Sequence, residues 1–119
     1  MSDSDLEDRL KKISVAPRVT MEDFQNNIKA VNFFTGRDGV NGHLGIKVEP
    51  NGTPLDLLTI CIITLQNGFT CIGTSACVSP ENFNEEIGRE ISRKRAEEQI
   101  WPLMGYHLAQ QKFQEGLIS

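Results

Sequence analysis

The sequence lacks any apolar run approaching the roughly 20 residues of a membrane-spanning helix. Its first ten residues, MSDSDLEDRL, are acidic and contain no apolar signal-peptide core. It also lacks an excess of positive charge, since the formal net charge is −4 at pH 7, whereas proteins that coat DNA or RNA normally present a positive face. We therefore expect a soluble intracellular protein that binds no membrane and no nucleic-acid polymer, and whose anionic ligand, if it has one, is small.

Cysteine and histidine are too few and too scattered to predict a metal site. Cys61, Cys71 and Cys77 are odd in number, form no C-x-x-C pair and lie in apolar surroundings, which favours reduced and buried thiols. His43 and His107 lie in unrelated segments, and the sequence contains no G-x-S-x-G, H-E-x-x-H or P-loop pattern. These absences predict a protein that is not an enzyme and that needs no metal or cofactor.

The residues that are present predict one small α+β domain. A chain of 119 residues, 39% of them hydrophobic, has room for a single modest core. We predict an N-terminal arm over 1–19, a helix and an antiparallel sheet over 20–78, and a C-terminal helical hairpin over 79–119. The first helix is predicted over 21–30, because Thr20 and Asp23 have the spacing of a capping box.

The segment GRDGVNGHLG, residues 36–45, has a glycine at every third position with Asp-Gly and Asn-Gly pairs between them. These dipeptides are typical of turns, so we predict a loop or a hairpin turn. The alternative is a loop that brings backbone N–H groups and Arg37 to an anion.

The segment TICIITLQNGFTCIGTSACV predicts a β-hairpin over 59–77. Asn67 and Gly68 suit a type I′ turn, in which both central residues need positive φ. If Gln66 lies opposite Phe69, both faces of the hairpin are apolar, so both must be covered. The rest of a short chain can cover one face, and we therefore predict a homo-oligomer in which subunits cover the other.

The C-terminal segment predicts two helices. Ser79 and Pro80 suit the cap and the first position of one helix, and Pro102 is expected to end it and begin the next. At 100° per residue, the first helix places Arg89 and Arg93 on the flank of a side separate from its predicted apolar stripe. That stripe consists of Phe83, Ile87, Ile91 and Trp101.

A basic cluster lies in this helix despite the negative net charge of the chain, and its members are Arg89, Arg93, Lys94 and Arg95. One interpretation is a solvated face, because Glu85 and other acids have the i,i+4 spacing of surface ion pairs. The other is a ligand site in which the guanidinium groups contact phosphates, Phe83 stacks on a base, and Asn82 and Asn84 contact the base edge.

Residues 59–106 resemble the small phage proteins grouped as the gene-49/gene-66 family. The resemblance is carried by four blocks in order: the T-x-x-NGF hairpin, SPENF, the I-G-R helix and W-P-L-x-G-Y. Within this grouping the sequence is similar to the first type of Thoeris anti-defence protein. The resemblance implies an oligomer, with a hexamer among the expected assemblies, that acts in the host bacterial cytoplasm. It would sequester cyclic ADP-ribose isomers made by TIR-domain enzymes without cleaving them and, in some members, cyclic oligonucleotides.

The resemblance implies a ligand pocket between subunits that contains Phe83 and the neighbouring arginines. The run SRKRAEE, residues 92–98, departs from the family pattern, in which a less basic run ends in asparagine. Arg93 and Arg95 are therefore candidates by their charge alone. The alternative is a structural or regulatory phage protein that binds another protein through the hairpin faces and has no nucleotide ligand.

Overall fold

The computed structural model describes Leu6 and residues 18–116. Most of the predicted N-terminal arm over 1–19 lies outside these residues. The described elements are α1 (Met21–Asn27), β1 (Ile28–Thr35), α2 (Gly36–Leu44), β2 (Leu58–Leu65), β3 (Thr70–Ala76), a 3-10 turn (Pro80–Asn82) and α3 (Glu85–Gln114). Helices combined with one antiparallel sheet confirm the predicted α+β class. No helix among the described residues has the length and hydrophobicity of a membrane span.

The elements form two compact units. One unit spans Ile28–Gln99 and contains the sheet, α2 and the N-terminal half of α3. The other contains α1 and the part of α3 from Ile100 onward. In this second unit the rings of Phe24 and Trp101 stack with their centroids 4.4 Å apart and their planes inclined by 12°, so a stacked aromatic pair anchors α1 on the C-terminal helix.

Helix α1 is shorter than the predicted span of 21–30. The predicted capping box is confirmed, because the Asp23 N–H donates to Thr20 Oγ1 at 3.0 Å and the Thr20 N–H donates to Asp23 Oδ2 at 2.9 Å. The helix ends at Asn27 and β1 follows directly. Strand formation from Ile28 onward agrees with the β-branched and aromatic residues of the segment IKAVNFFT.

The three strands form one antiparallel sheet with β2 in the centre. In this register Ile63 lies between Val31 and Cys71, and Cys61 lies opposite Phe33. Residues that lie opposite each other share a face of the sheet. These positions therefore define the inner face, where Cys61 and Ile63 are fully buried, and the residues between them define the outer face.

The hairpin at Asn67-Gly68 is confirmed, but its turn is not type I′. The Leu65 N–H donates to the Phe69 carbonyl oxygen at 2.8 Å, which leaves residues 66–68 as a three-residue loop. Gly68 has a φ of 89°, and no described residue other than glycine has positive φ. Asn67 therefore does not adopt the mirror-image turn conformation, and its Oδ1 accepts from the Phe69 N–H at 3.0 Å.

The three-residue loop shifts the strand register by one position from the prediction, which placed Gln66 opposite Phe69. Cys71 lies on the inner face opposite Ile63, and Ile72 lies on the outer face. Because successive residues of a strand point to opposite faces, a shift of one position moves a side chain from core to surface. Both faces of the hairpin remain apolar, as predicted.

The glycine-rich segment is helix α2, so the prediction of a loop or hairpin turn is wrong. The Asp38 N–H donates to Thr35 Oγ1 at 3.0 Å, and the Thr35 N–H donates to Asp38 Oδ2 at 3.0 Å. The helix ends at Leu44, and its C-cap residue Gly45 has a left-handed φ of 67°. The reciprocal cap offsets part of the conformational cost of the glycines inside the helix.

The C-terminal segment forms one helix, α3, which corrects the prediction of a helical hairpin over 79–119. Asn84 is its N-cap: Asn84 Oδ1 accepts from the Ile87 N–H at 3.1 Å, and the Asn84 carbonyl oxygen accepts from the Gly88 N–H at 3.0 Å. Ser79 and Pro80 belong to the preceding 3-10 turn. Pro102 lies inside the helix, where its missing N–H removes one hydrogen bond without ending the helix.

Helix α3 packs on the inner face of the sheet through small residues. Gly88, Ser92 and Ala96 are buried at intervals of four positions, which places them on one side of the helix. The predicted apolar stripe is therefore wrong for Ile87 and Ile91, which are exposed. Small residues on the packed side allow the helix backbone to approach the strands closely.

Candidate functional site

Helix α3 covers the inner face of β2 and β3 more completely than that of β1. A Cβ atom at Gly88 would lie 2.6 Å from Thr59 Oγ1 of β2, and Gly73 of β3 lies directly under the helix backbone. On β1, the inner-face residues Val31 and Phe33 remain half-buried. The surface between Val31 and Phe33 of β1 and the adjacent flank of α3 is therefore only partly covered, and we call this surface the β1–α3 groove.

Arg89 lies in this groove. Its guanidinium carbon is 5.6 Å from the centroid of the Phe33 ring, which is within cation–π range. Its Nη2 is 2.8 Å from Glu85 Oε1, and the two side chains are 51% and 63% exposed. An ion pair this exposed contributes about 0–1 kcal/mol, so an anionic ligand could replace Glu85 at little cost.

Arg93 follows Arg89 by one helical turn and lies on the same flank. Its Nε is 3.4 Å from Glu97 Oε2, and the Arg93 side chain is 41% exposed. The groove thus contains two guanidinium groups one turn apart, each paired with a carboxylate of the same helix. The order along the flank is acid, base, base, acid, from Glu85 to Glu97.

The thiol of Cys61 is buried beneath this flank. Burial raises the pKa of Cys61, and the opposing charges of Arg93 and Glu97 change it less. Burial also raises the pKa of Cys71. The predicted reduced, buried state is confirmed for these two cysteines, while Cys77 is half-buried and free.

The segment before α3 holds three predicted site residues in different roles. Asn82 is exposed in the 3-10 turn, and Phe83 is half-buried, with its N–H donating to the Pro80 carbonyl oxygen at 3.3 Å. The Asn84 side-chain oxygen caps α3 through Ile87. Sequence reasoning did not predict the capping role of Asn84, because the Ser79-Pro80 pair is the stronger signal for a helix start.

Arg95 lies on the other side of α3 from Arg93. At about 100° per residue the two side chains are separated by roughly 160° around the helix. Arg95 Nη1 donates to the Thr74 carbonyl oxygen at 2.8 Å, and Gln99 Nε2 donates to the Ile72 carbonyl oxygen at 2.7 Å. The basic cluster is thus divided, and Arg95 has a structural contact with the edge strand β3.

Arg37 is held inside the protein by an ion pair with Asp56. Its Nε is 3.2 Å from Asp56 Oδ1, and its Nη2 donates to Thr53 Oγ1 at 3.0 Å; the Arg37 and Asp56 side chains are 12% and 6% exposed. Asp56 also accepts from the N–H groups of Asn51 at 2.7 Å and Thr53 at 3.1 Å. Arg37 therefore joins α2 to the loop before β2, and we leave it out of the proposed site.

The hydrogen bonds on Asp56 also affect its titration. The Asn51 N–H is the largest influence and, together with Arg37 and Thr53, lowers the pKa of Asp56 below its usual value against the opposing effect of burial. The carboxylate is therefore charged at neutral pH and keeps its partners. Across the described residues, no three His, Cys, Asp or Glu side chains are grouped closely enough to hold a metal ion.

Comparisons with known proteins identify the family. Searches of curated proteins and of solved structures returned no match to this chain. The family model described as "Phage protein (N4 Gp49/phage Sf6 gene 66) family" matches residues 19–112. The match extends beyond the 59–106 segment that carried the resemblance and includes α1, the whole sheet and most of α3. The chain therefore belongs to the phage protein family of N4 Gp49 and phage Sf6 gene 66.

Proposed function

We propose that this protein is a phage anti-defence protein that binds and sequesters cyclic ADP-ribose-type signals of Thoeris immunity without cleaving them. Cyclic oligonucleotides of CBASS-type immunity are the second ligand class. The observation that carries the proposal is the placement of Arg89 beside the Phe33 ring, with Arg93 one turn away. Phage family membership supports the biological setting, and we propose that the protein acts in the host bacterial cytoplasm.

The groove has the chemical groups that a nucleotide needs. Guanidinium groups form charge-assisted, forked hydrogen bonds to phosphate oxygens. An aromatic ring provides a stacking surface for a base, and Phe33 is half-buried beside Arg89. Glu85 and Glu97, displaced from the arginines by phosphate, become acceptors for ribose hydroxyl groups. Phe83, placed in the pocket by the family resemblance, is the second stacking candidate.

A single chain does not enclose such a ligand. Arg89 and Arg93 are 51% and 41% exposed, whereas ligand sites bury about 70–90% of a small molecule. We therefore propose that a second copy of the chain supplies the opposite wall of the groove. This requirement supports a homo-oligomer, and repeated contacts of this kind allow a closed assembly such as a hexamer.

We propose binding without turnover. In the groove, Glu85 and Glu97 are paired with arginines, and the raised pKa of the Cys61 thiol keeps it protonated. A hydrolase would need an activated nucleophile or base directed at the pyrophosphate or glycosidic bond. A sequestering protein needs affinity alone, which the arginines and the ring can supply.

Calorimetry of the full-length protein tests the proposal. Cyclic ADP-ribose isomers and cyclic dinucleotides are titrated separately, with linear ADP-ribose as the control for charge. We expect tight binding of at least one cyclic ligand, and chromatography after heat denaturation should recover that ligand intact. Absence of binding to all of them would refute the proposal. Recovery of a hydrolysed product that increases with time would instead indicate an enzyme.

A structural or regulatory phage protein is the second candidate. Exposed apolar side chains on the hairpin, Phe69 and Ile72, favour this function because such residues mark protein contacts. A thermal shift separates the two candidates. A ligand at 100 times its dissociation constant stabilises the folded state by about 2.7 kcal/mol, and only the sequestering protein should show this stabilisation with nucleotides.

A further inference from the structure

We infer that the outer face of the sheet is a self-association surface on which a second copy of the chain packs face to face. The register places three pairs side by side on this face, Ile62 with Ile72, Ile60 with Thr74, and Thr64 with Thr70. None of the residues that the strand register pairs across this face is ionisable; Lys29 lies at the β1 bulge, outside these pairs. An antiparallel sheet face that meets water is normally polar, so this composition indicates a covered face.

Exposure within the chain locates the uncovered part. Ile72 is 51% exposed, and Ile60 and Ile62 are half-buried. Helix α2 approaches the face at Phe34, where a Cβ atom on Gly39 would lie 3.4 Å from the ring. The uncovered part of the outer face is therefore the part around Ile72.

The absence of charge indicates a second copy as the occupant. A two-fold interface places the same patch against itself, so any charge near its axis meets a like charge. A patch without ionisable residues avoids this repulsion. It also offers no complementary charge to an acidic or basic partner protein, although such complementarity usually guides the choice of partner.

The edge of β3 is closed to the alternative arrangement, in which two sheets join edge to edge. Leu65–Phe69 and Leu57–Cys77 are hydrogen-bonded pairs at the two ends of the β2–β3 ladder. Opposite residues of antiparallel strands alternate between hydrogen-bonded and non-hydrogen-bonded pairs, and Ile72 and Thr74 belong to the non-hydrogen-bonded pairs. The carbonyl groups of Ile72 and Thr74 therefore point outward, where Gln99 and Arg95 already donate to them. These two contacts disfavour edge pairing at β3, and we therefore place the contact on the face of the hairpin, with the two sheets about 10 Å apart.

The size of the face predicts a dimer of modest affinity. Three strands of seven or eight residues cover roughly 14 by 24 Å, so two copies bury at most about 700 Å² of flat area, less the part that α2 covers near Phe34. This area is below the about 1,000 Å² typical of stable specific interfaces, which corresponds to a weak or transient contact. The β1–α3 groove lies on the opposite face of the sheet, so this contact leaves the groove available.

Sedimentation velocity of the ligand-free, full-length protein tests the inference across the micromolar range. The variant Ile72→Lys places a charge in the exposed part of the face and should reduce the weight-average mass to about half, because a two-fold contact is lost. Ile87→Lys is the matched control: Ile87 is 52% exposed on α3, close to the 51% of Ile72, and its substitution should leave the mass unchanged. If circular dichroism shows that Ile72→Lys does not fold, Ile72→Thr replaces it, with a smaller loss of mass expected.

Three results would overturn the inference. They are a monomeric wild-type protein, a folded Ile72 variant with the wild-type mass, and an Ile87→Lys variant that dissociates as fully as Ile72→Lys. A monomer would assign the face to a different protein. The ligand test is separate. If the wild-type protein binds no nucleotide, the proposed function is refuted. If Ile72→Lys still reduces the mass to about half, this inference is supported.

Discussion

Gly73 of β3 lies directly beneath Ser92 of α3. A Cβ atom at position 73 would overlap the Ser92 carbonyl oxygen and lie 2.5 Å from the Ala96 nitrogen. Strand and helix backbones are thus in direct contact at this point. The contact sets the position of α3 over β2 and β3, and it thereby determines that the flank with Arg89 lies beside β1.

Replacing Gly73 tests this contact. Gly73→Ala should lower the free energy of unfolding by about 1–3 kcal/mol or more, because backbone atoms cannot move aside as a flexible side chain can. Urea unfolding followed by circular dichroism measures the change. Gly42→Ala is the control, since nothing lies within 4 Å of a Cβ atom there and alanine should stabilise α2 by about 0.5–1 kcal/mol. Equal effects of the two variants would contradict the close approach.

Thr59 carries a buried hydroxyl group with no hydrogen-bond partner among the described residues. Thr59→Val keeps the shape and removes the unpaired oxygen, so unfolding free energy should rise by about 1–3 kcal/mol. Thermal unfolding by calorimetry measures it. Thr59→Ser keeps the hydroxyl and loses a methyl group, so its melting temperature should fall. A lower melting temperature for Thr59→Val would mean that the hydroxyl has a bound partner.

Asp56 should make the free energy of unfolding depend on pH in the acid range. Its pKa is lowered in the folded state, chiefly by the Asn51 N–H, so it stabilises the fold above its unfolded value near 3.8. That contribution is lost as pH falls through the lower folded value. Urea midpoints measured from neutral pH down to the acid range should decline, and Asp56→Asn should be less stable at neutral pH with a flatter decline. A parallel decline in both proteins would assign the acid sensitivity to other carboxylates.

Arg89 should contribute to nucleotide affinity and Arg95 should not. Arg89→Ala removes a charge-assisted hydrogen bond worth about 1.5–3 kcal/mol, which weakens binding roughly ten- to a hundredfold, and Arg93→Ala should act similarly. Arg95→Ala is the control, because its guanidinium binds the Thr74 carbonyl oxygen on the other side of the helix. Calorimetry with the tightest cyclic ligand measures these affinities. An equal loss for Arg95→Ala would place the ligand elsewhere.

The stacking ring can be identified with leucine substitutions. Phe33→Leu and Phe83→Leu each keep most of the apolar volume and remove the ring, and loss of base stacking should cost about 1–3 kcal/mol of binding free energy. We expect the effect at Phe33, which contacts Arg89, and at Phe83 if the family resemblance extends to the pocket. Unchanged affinity in both variants and in Arg89→Ala would exclude this groove.

Arg95 and Gln99 should protect the edge of β3. The double variant Arg95→Ala, Gln99→Ala leaves the outward carbonyl groups of Ile72 and Thr74 without these donors, and unpaired strand edges promote association with other chains. Light scattering during concentration should show earlier aggregation. Lys94→Ala with Glu98→Ala, two exposed positions on the same helix, is the matched control and should behave as wild type. Equal behaviour of the two double variants would contradict the protective role.

The features predicted correctly from sequence are local ones. The Thr20–Asp23 box and the Asn67-Gly68 hairpin depend on residues two to four positions apart, and their hydrogen bonds form within that distance. Helix α2 also has a local signal, the Thr35–Asp38 capping box, but the Asp-Gly and Asn-Gly dipeptides within it are typical of turns. The family assignment likewise depends on short ordered blocks, and it is confirmed.

The tertiary structure decided what depends on contacts between distant residues. Sequence periodicity made Ile87 and Ile91 the packed side of α3, whereas close approach to Gly73 selected Ser92 and Ala96. A helix buries the side that fits its neighbour, because a small residue on a strand permits contact that a larger side chain prevents. The grouping of Arg89 with Phe33, 56 positions apart in the sequence, and its separation from Arg95 follow from that packing. The sequence by itself determined the Thr20–Asp23 cap, the hairpin, the charges and the family, and the helix–sheet contact decided which of the charged side chains lie together.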